Sequence, residues 1–261
     1  MNVAHRGASG RFPENTLAAF AAAIDAGAQM CELDVQLSRD GAVVVMHDDT
    51  VDRTTDGRGA VRAMTLDELK RLDAGVRFGG EFKGERIPTL AEVFALTDGR
   101  CGLNIEIKAA STTAARVEGT GRKEAGVEDG GSDSVSGQSA ICARVCEKIV
   151  AYRALATAMV SSFDWSALAI VRHLEPRVRI GLLSSKWPAR LVGAAFEMRA
   201  DAINPRSDMV TEDLCIAAHQ RGLSVYAWTV DEPAEMRRLF AYGVDGIMTN
   251  YPERLRELTD Y

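Results

Sequence analysis

The chain has 261 residues, 46% of them hydrophobic, with 31 Lys and Arg against 37 Asp and Glu and a formal net charge of −6. That length is too great for a small stapled domain and fits one large α/β barrel or two modest domains. The acidic balance argues against nucleic acid or a membrane surface as the main partner, so a bound anion must be met by local Arg and Lys. Five cysteines (Cys31, Cys101, Cys142, Cys146, Cys215) in no framework spacing point to a reducing compartment. Cys142 and Cys146 are spaced to share a metal but have no nearby third and fourth ligand, so packing is the better reading. No basic stretch with an apolar run opens the chain, and no run approaches the roughly 18 apolar residues of a membrane span. A soluble, cytoplasmic protein is expected.

Residues 2–5 read as a short strand. In ENTLAAFAAAIDAG, Asn15 or Thr16 can cap a helix, Leu17, Phe20 and Ile24 share one stripe, and Gly27 can end it. MCELDVQL is a strand, RDG a turn and AVVVMH the returning strand, with Asp40-Gly41 a two-residue hairpin signal. Residues 48–98 are polar, with loops around a short helix near 65–72, and read as a small cap over a barrel mouth. Strands follow at 102–108, 157–162, 178–183, 201–204, 224–230 and 245–250. Helical segments lie between them at about 140–153, 164–174, 188–199, 211–221 and 232–242. Residues 110–139 hold six glycines and almost no large apolar side chain, too little burial to offset ordering, and read as a floppy loop. The eight core strands with helical crossovers predict a single (β/α)8 TIM barrel, with the cap inserted after a hairpin that extends the second strand. An open doubly wound sheet is the alternative.

In a barrel the chemistry belongs at the C-terminal ends of the strands. His5 and Arg6 end the first strand. Glu32 and Asp34, at i and i+2, face one side of the second, and Asn104, Glu106 and Lys108 share a face of the third. Converging carboxylates Glu32, Asp34 and Glu106 need a cation, and an all-oxygen set suits Mg²⁺ or Ca²⁺ rather than Zn²⁺. With a two-residue turn at Asp40-Gly41, Asp34 falls opposite His47, which returns a second histidine to the site. Three carboxylates, Arg6, Lys108 and a divalent ion sum to +1, which one phosphodiester would balance. The cation and Arg6 can then stabilise charge on phosphoryl oxygens. One histidine can take a proton from the nucleophile and the other give one to the leaving alkoxide. Phe163, after the 157–162 strand, could border the pocket or fill core. Gly7 and Gly10 could present N–H groups to phosphate or be turn glycines. His173 and His219 lie within helical segments and read as surface or core residues.

The segments HRGASG, PENT, ELDVQLSRDGAVVVMHDDTVDRTTDGRG, IPTLAEVF, NIEIK, SSF and GVDGIMTNYPE resemble the glycerophosphodiester phosphodiesterase family, in its short bacterial cytoplasmic type. The likeness runs over nearly the whole chain. It implies a (β/α)8 barrel with an inserted cap and divalent-metal-dependent hydrolysis of glycerophosphodiesters to sn-glycerol 3-phosphate and an alcohol. By this likeness His5 and His47 match the acid/base pair, Glu32, Asp34 and Glu106 the metal ligands, and Arg6 the phosphate contact. Lys108 lines the same site and Trp228 borders the glycerol pocket. A cyclic phosphate formed by the neighbouring glycerol hydroxyl and direct attack by water both remain open. Three departures stand out. Asn250 occupies a place where the family often has Asp, Ala109 follows NIEIK in place of Pro, and the Gly-rich loop is long.

Two rival functions remain. One is a phosphodiesterase or lyase on a different diester, such as a lysophospholipid or glycerophosphoinositol, against which the few large apolar residues of the cap argue. The other is a non-catalytic glycerophosphodiester-binding barrel, against which both histidines and all three carboxylates argue. Lys108 is a poor Schiff-base lysine, because the acidic trio should keep it protonated.

Overall fold

The computed structural model describes residues 1–108, 131–186 and 188–259. Its strands are β1 (Asn2–His5), β2 (Met30–Leu37), β3 (Val43–Val45), β4 (Gly102–Ile107), β5 (Ala158–Ser162), β6 (Arg179–Ser184), β7 (Ala202–Pro205), β8 (Ser224–Ala227) and β9 (Gly246–Thr249). The helices are α1 (Leu17–Asp25), α2 (Leu66–Arg71), α3 (Leu90–Thr97), α4 (Gly131–Ala151), α5 (Trp165–Leu174), α6 (Pro188–Glu197), α7 (Glu212–His219), α8 (Pro233–Ala241) and α9 (Pro252–Thr259). All strands but β3 are parallel, in the order β1-β9-β8-β7-β6-β5-β4-β2, and pairing of β1 with β2 closes the ring. This is a TIM barrel, and the doubly wound alternative is excluded by closure. Among the described residues no helix is long and apolar enough to cross a membrane.

Alternation along each strand divides the barrel into two cores. Outward side chains such as Leu33, Val35, Ile105 and Val160 pack under the helices in the main core. Inward ones at the lower end, Val3, Met30, Met159, Ala202, Tyr226 and Met248, form a separate apolar plug. Two residues beyond Val3, Met30 and Met159 stand the polar His5, Glu32 and Ser161, and Asn104 of β4 is in register with Glu32. The plug thus carries a polar layer at the C-terminal ends of the strands.

Thr16, not Asn15, caps α1, its side chain accepting from Ala19 N. The buried stripe of α1 is Ala19, Phe20 and Ala23 rather than Leu17, Phe20 and Ile24. Small alanines let α1 approach the β1–α1 loop closely. Gly7 has φ +80°, and a Cβ there would lie 2.6 Å from the Ala19 carbonyl carbon. The Gly7 and Gly10 N–H groups donate to Ala4 and Asn250 carbonyls, so both are turn glycines.

The hairpin differs by one residue from expectation. Val35 pairs with Val45 and Leu37 with Val43, so the turn has three residues, 39–41, and Asp34 lies opposite Met46, not His47. The Asp40 carboxylate accepts from Ser38 Oγ and Leu66 N, and Gly41 takes the left-handed conformation with φ +80°, which is the three-residue turn with a bulge.

Beyond the hairpin, Val44, Met46, Val51, Val61, Leu69, Ala74 and Ile87 make a small core of their own. The expected cap over 48–98 is shortened at its end, because Leu90, Val93 and Phe94 of α3 bury into the main core and α3 packs on α1. Thr89 and Glu92 form a capping box that starts α3. Helix α4 begins at Gly131 rather than near 140, so part of the expected 110–139 loop is helical. The remainder of that loop, to residue 130, lies outside the described residues, as does Trp187. Cys142 and Cys146 are buried on α4, where burial pushes their thiols up to about 12 and about 11, in keeping with packing.

Candidate active site

Parallel register builds the acidic centre. His5 pairs with Glu32, Glu32 with Asn104, and Asp34 with Glu106. Glu32, Asp34 and Glu106 each place an oxygen within 4.8 Å of the others, all three buried. Burial and then repulsion from Asp34 and Glu106 push Glu32 well above the usual carboxyl range. Burial and then Asp34 push Glu106 up to about 7. Burial works against Asp34 too, but Lys108 and Arg6 outweigh it and hold Asp34 low. Lys108 Nζ lies 2.8 Å from Glu106 Oε1 and 3.3 Å from Asp34 Oδ1, and Arg6 Nε lies 3.3 Å from Asp34 Oδ2. Two cations against three buried carboxylates leave a negative centre with only oxygen donors, so the residues fit a hard divalent cation.

The two histidines have different partners. His5 Nδ1 is 2.7 Å from Asn250 Oδ1. The Asn250 amide nitrogen donates to Asp231 Oδ2 at 2.7 Å, which turns its oxygen toward His5. His5 therefore carries its proton on Nδ1 and leaves Nε2 free to accept, 4.0 Å from Glu32 Oε2. Burial, then the Arg6 charge, lowers the His5 pKa to about 4, so the ring is neutral at pH 7. His47 lies 2.6 Å through Nδ1 from Asp48 Oδ1. Its backbone leaves the strand after Val45, and Gln36 Nε2 donates to the carbonyls of Met46, His47 and Asp48 at 3.0, 3.3 and 2.6 Å. That departure brings His47 to the site although it does not sit opposite Asp34.

A charged chain ties the cap to the barrel. Arg6 Nη1 donates to Glu14 at 2.9 Å, Arg53 donates to Glu14 at 2.7 Å through both Nη atoms, and Arg53 Nε donates to Asp48 at 2.6 Å. The Arg53 hydrogen bonds, with help from His47, hold Asp48 down at about 2. Asn15, in the left-handed region at φ 59°, donates to Asp34 Oδ2 at 2.9 Å.

One cavity of about 290 Å³ gathers these groups. His5, Arg6, Glu32, His47, Glu106 and Lys108 line it, joined by Phe163 and Trp228. Asp34 stands behind, in the acidic cluster. Phe163 is 44% exposed and packs edge-on against Trp228 with centroids 5.4 Å apart, so it borders the pocket and does not fill core. Trp228 Nε1 donates to Asn204 O at 2.7 Å, which fixes the indole as a wall. His173 lies in the last turn of α5, and His219 pairs with Asp245 at 2.9 Å, both outside the cavity.

Sequence reasoning missed Asn250 as the partner of His5, and with it Asp231. Glu14 and Asn15, in PENT, and Arg53, in DRTT, carry no local signal that they meet at the site. Asn104 lines the cavity on the face it shares with Glu106, as its spacing predicts.

The glycerophosphoryl diester phosphodiesterase family model matches residues 5–254. The chain is 39% identical over 257 residues to a glycerophosphodiester phosphodiesterase of Caldanaerobacter subterraneus subsp. tengcongensis, covering 98% of this chain and 96% of the relative. The fold resembles that of an Oleispira antarctica phosphodiesterase solved in complex with the product sn-glycerol 3-phosphate. The TM-score is 0.86 at 28% identity, over 99% of this chain and 96% of that one. With its barrel, its clustered carboxylates and a match spanning nearly its whole length, this chain belongs to the glycerophosphoryl diester phosphodiesterase family.

Proposed function

We propose that the protein hydrolyses glycerophosphodiesters to sn-glycerol 3-phosphate and an alcohol, with a divalent cation, Mg²⁺ or Ca²⁺, held by Glu32, Asp34 and Glu106. The observation that carries this reading is the cavity itself, where two imidazoles and two cationic side chains face a buried three-carboxylate cluster. The bound cation supplies charge neutralisation for the phosphoryl oxygens. Arg6 and Lys108 hold the phosphoryl group and stabilise the charge that grows on it. His5 and His47 each keep Nδ1 engaged, with Asn250 and Asp48, so Nε2 is the atom that moves protons. Trp228 and Phe163 wall the side away from the carboxylates. A cytoplasmic setting suits the five thiols.

The test is release of sn-glycerol 3-phosphate from glycerophosphocholine, metal-free and then with Mg²⁺ or Ca²⁺, by the protein and by His47→Ala. Turnover that requires the cation and falls about 10²–10⁴-fold in the variant is expected. A folded protein inert with every cation, or a variant as active as the parent, would overturn the proposal.

A further inference from the structure

The cavity has two unlike sides. From β1 through β2 to β4 it is ionic, with Arg6, Glu32, Glu106 and Lys108. A phosphodiester must put its phosphoryl group there. Among the described residues, the remaining wall, from β5 to β9, carries Ser161, Phe163, Leu183, Trp228, Thr229 and Met248 and no charged side chain. At the seam, Asn104 and Ser161 are both fully buried and line the cavity. No described residue hydrogen-bonds Asn104 Nδ2, Asn104 Oδ1 or Ser161 Oγ. They are diagonal neighbours: Asn104 is in register with Glu32 and Met159, and Ser161 with Glu106 and Gly181.

Buried polar groups without partners are costly and rare, and here they stand together on a ligand cavity. An amide and a hydroxyl each donate and accept, as an alcohol does. Neither offers charge to a cationic head group, and the flanking Trp228 and Phe163 present apolar surface suited to carbon-bound hydrogens. The cavity also lies at the small end of the about 300–1,000 Å³ typical of ligand sites. Its volume admits a three-carbon fragment with its phosphate.

Resting on the proposed reaction, we propose that Asn104 and Ser161 form the subsite that reads the hydroxyls of the substrate's glycerol moiety. They determine specificity and transfer no proton.

The experiment compares two ligands by calorimetry, with saturating Mg²⁺. These are sn-glycerol 3-phosphate and n-propyl phosphate, which share the phosphate and the three-carbon chain and differ in the hydroxyls. The parent protein should bind glycerol 3-phosphate at least about 10-fold more tightly, because a site built to hydrogen-bond a hydroxyl rejects a ligand lacking it. In Ser161→Ala and Asn104→Ala that preference should shrink by about 10-fold, with n-propyl phosphate affinity held within about twofold. Equal affinities in the parent, or a preference that survives both substitutions, would overturn the proposal. So would equal losses for both ligands, which would assign the two residues to support of the acidic cluster. If Asn104→Ala does not fold, Ser161→Ala, which removes a single oxygen, decides alone. A protein that releases no glycerol 3-phosphate from any glycerophosphodiester would sink the reaction, while this binding comparison would still read the subsite.

Discussion

His5 and Asn250 meet across 245 residues of chain, Nδ1 to Oδ1 at 2.7 Å, at the ends of the adjoining strands β1 and β9. Because Asp231 holds the Asn250 amide nitrogen, the contact has only one sense: the ring donates and the amide oxygen accepts. Asn250→Ala frees the ring to rotate and to take the other tautomer. We expect kcat to fall about 10–100-fold, as for other partners that orient a working histidine, with KM nearly unchanged. Steady-state kinetics on glycerophosphocholine check this. A rise in KM at constant kcat would place Asn250 in binding instead.

The acidic cluster predicts a cation-dependent stability. Glu32 and Glu106 are pushed up first by burial and then by repulsion from Asp34, a cost that a divalent ion relieves. Ligand present at about 100 times its Kd stabilises by about 2.7 kcal/mol, which for a chain of this size is a Tm rise of about 5–10 °C. Thermal melts with chelator and with Mg²⁺ or Ca²⁺ measure it. Glu106→Gln should lose most of the rise while matching or exceeding the parent's Tm in chelator.

Acid should loosen the cap through Asp48. Its folded pKa of about 2 lies below the ordinary 3.8, chiefly through the Arg53 hydrogen bonds. The folded state therefore binds fewer protons than the unfolded state between those values. The stabilisation is complete above pH 3.8 and is lost as the pH falls through about 2. Asp48→Asn should be less stable than the parent at pH 6, and the difference should narrow toward pH 2. Denaturant titrations at both pH values provide the comparison, and a constant difference would refute the assignment.

Gly7→Ala should be severely destabilising. The residue sits at φ +80° with Ala19 backbone 2.6 Å from the position of a Cβ. Left-handed backbone costs an alanine about 1–2 kcal/mol before any clash, so a loss of more than about 2 kcal/mol is expected. Since Gly7 follows the His5-Arg6 pair, activity should fall along with the midpoint of chemical denaturation.

The strand–helix rhythm, the barrel and the arrangement of the carboxylates were all legible from local pattern. Residues at i and i+2 on a strand must face one side, so Glu32 with Asp34, and Asn104 with Glu106, follow from spacing alone. His5 and Arg6 followed from their place at a strand end. The hairpin shows where such reasoning stops. Asp40-Gly41 correctly marked a turn, but its length was set by Ser38, the left-handed Gly41 and the Leu66 N–H, which lies 26 residues away. One residue of register then moved His47 off its expected pairing, and Gln36 gathering three carbonyls brought it to the cavity by another route.

By itself, then, the sequence determined the periodicities: which segments are strands, which positions share a face, and which strand ends carry titratable side chains. Only the tertiary structure decided how groups distant in the chain are joined. Ring closure set Asn250 on His5, the folded cap carried Arg53 to Glu14, and burial left Asn104 and Ser161 without a hydrogen-bond partner among the described residues, beside the carboxylates. The physical reason is one of range. Backbone geometry repeats every two or 3.6 residues and can be read locally, whereas hydrogen-bond partners across a closed barrel depend on the register of every strand between them.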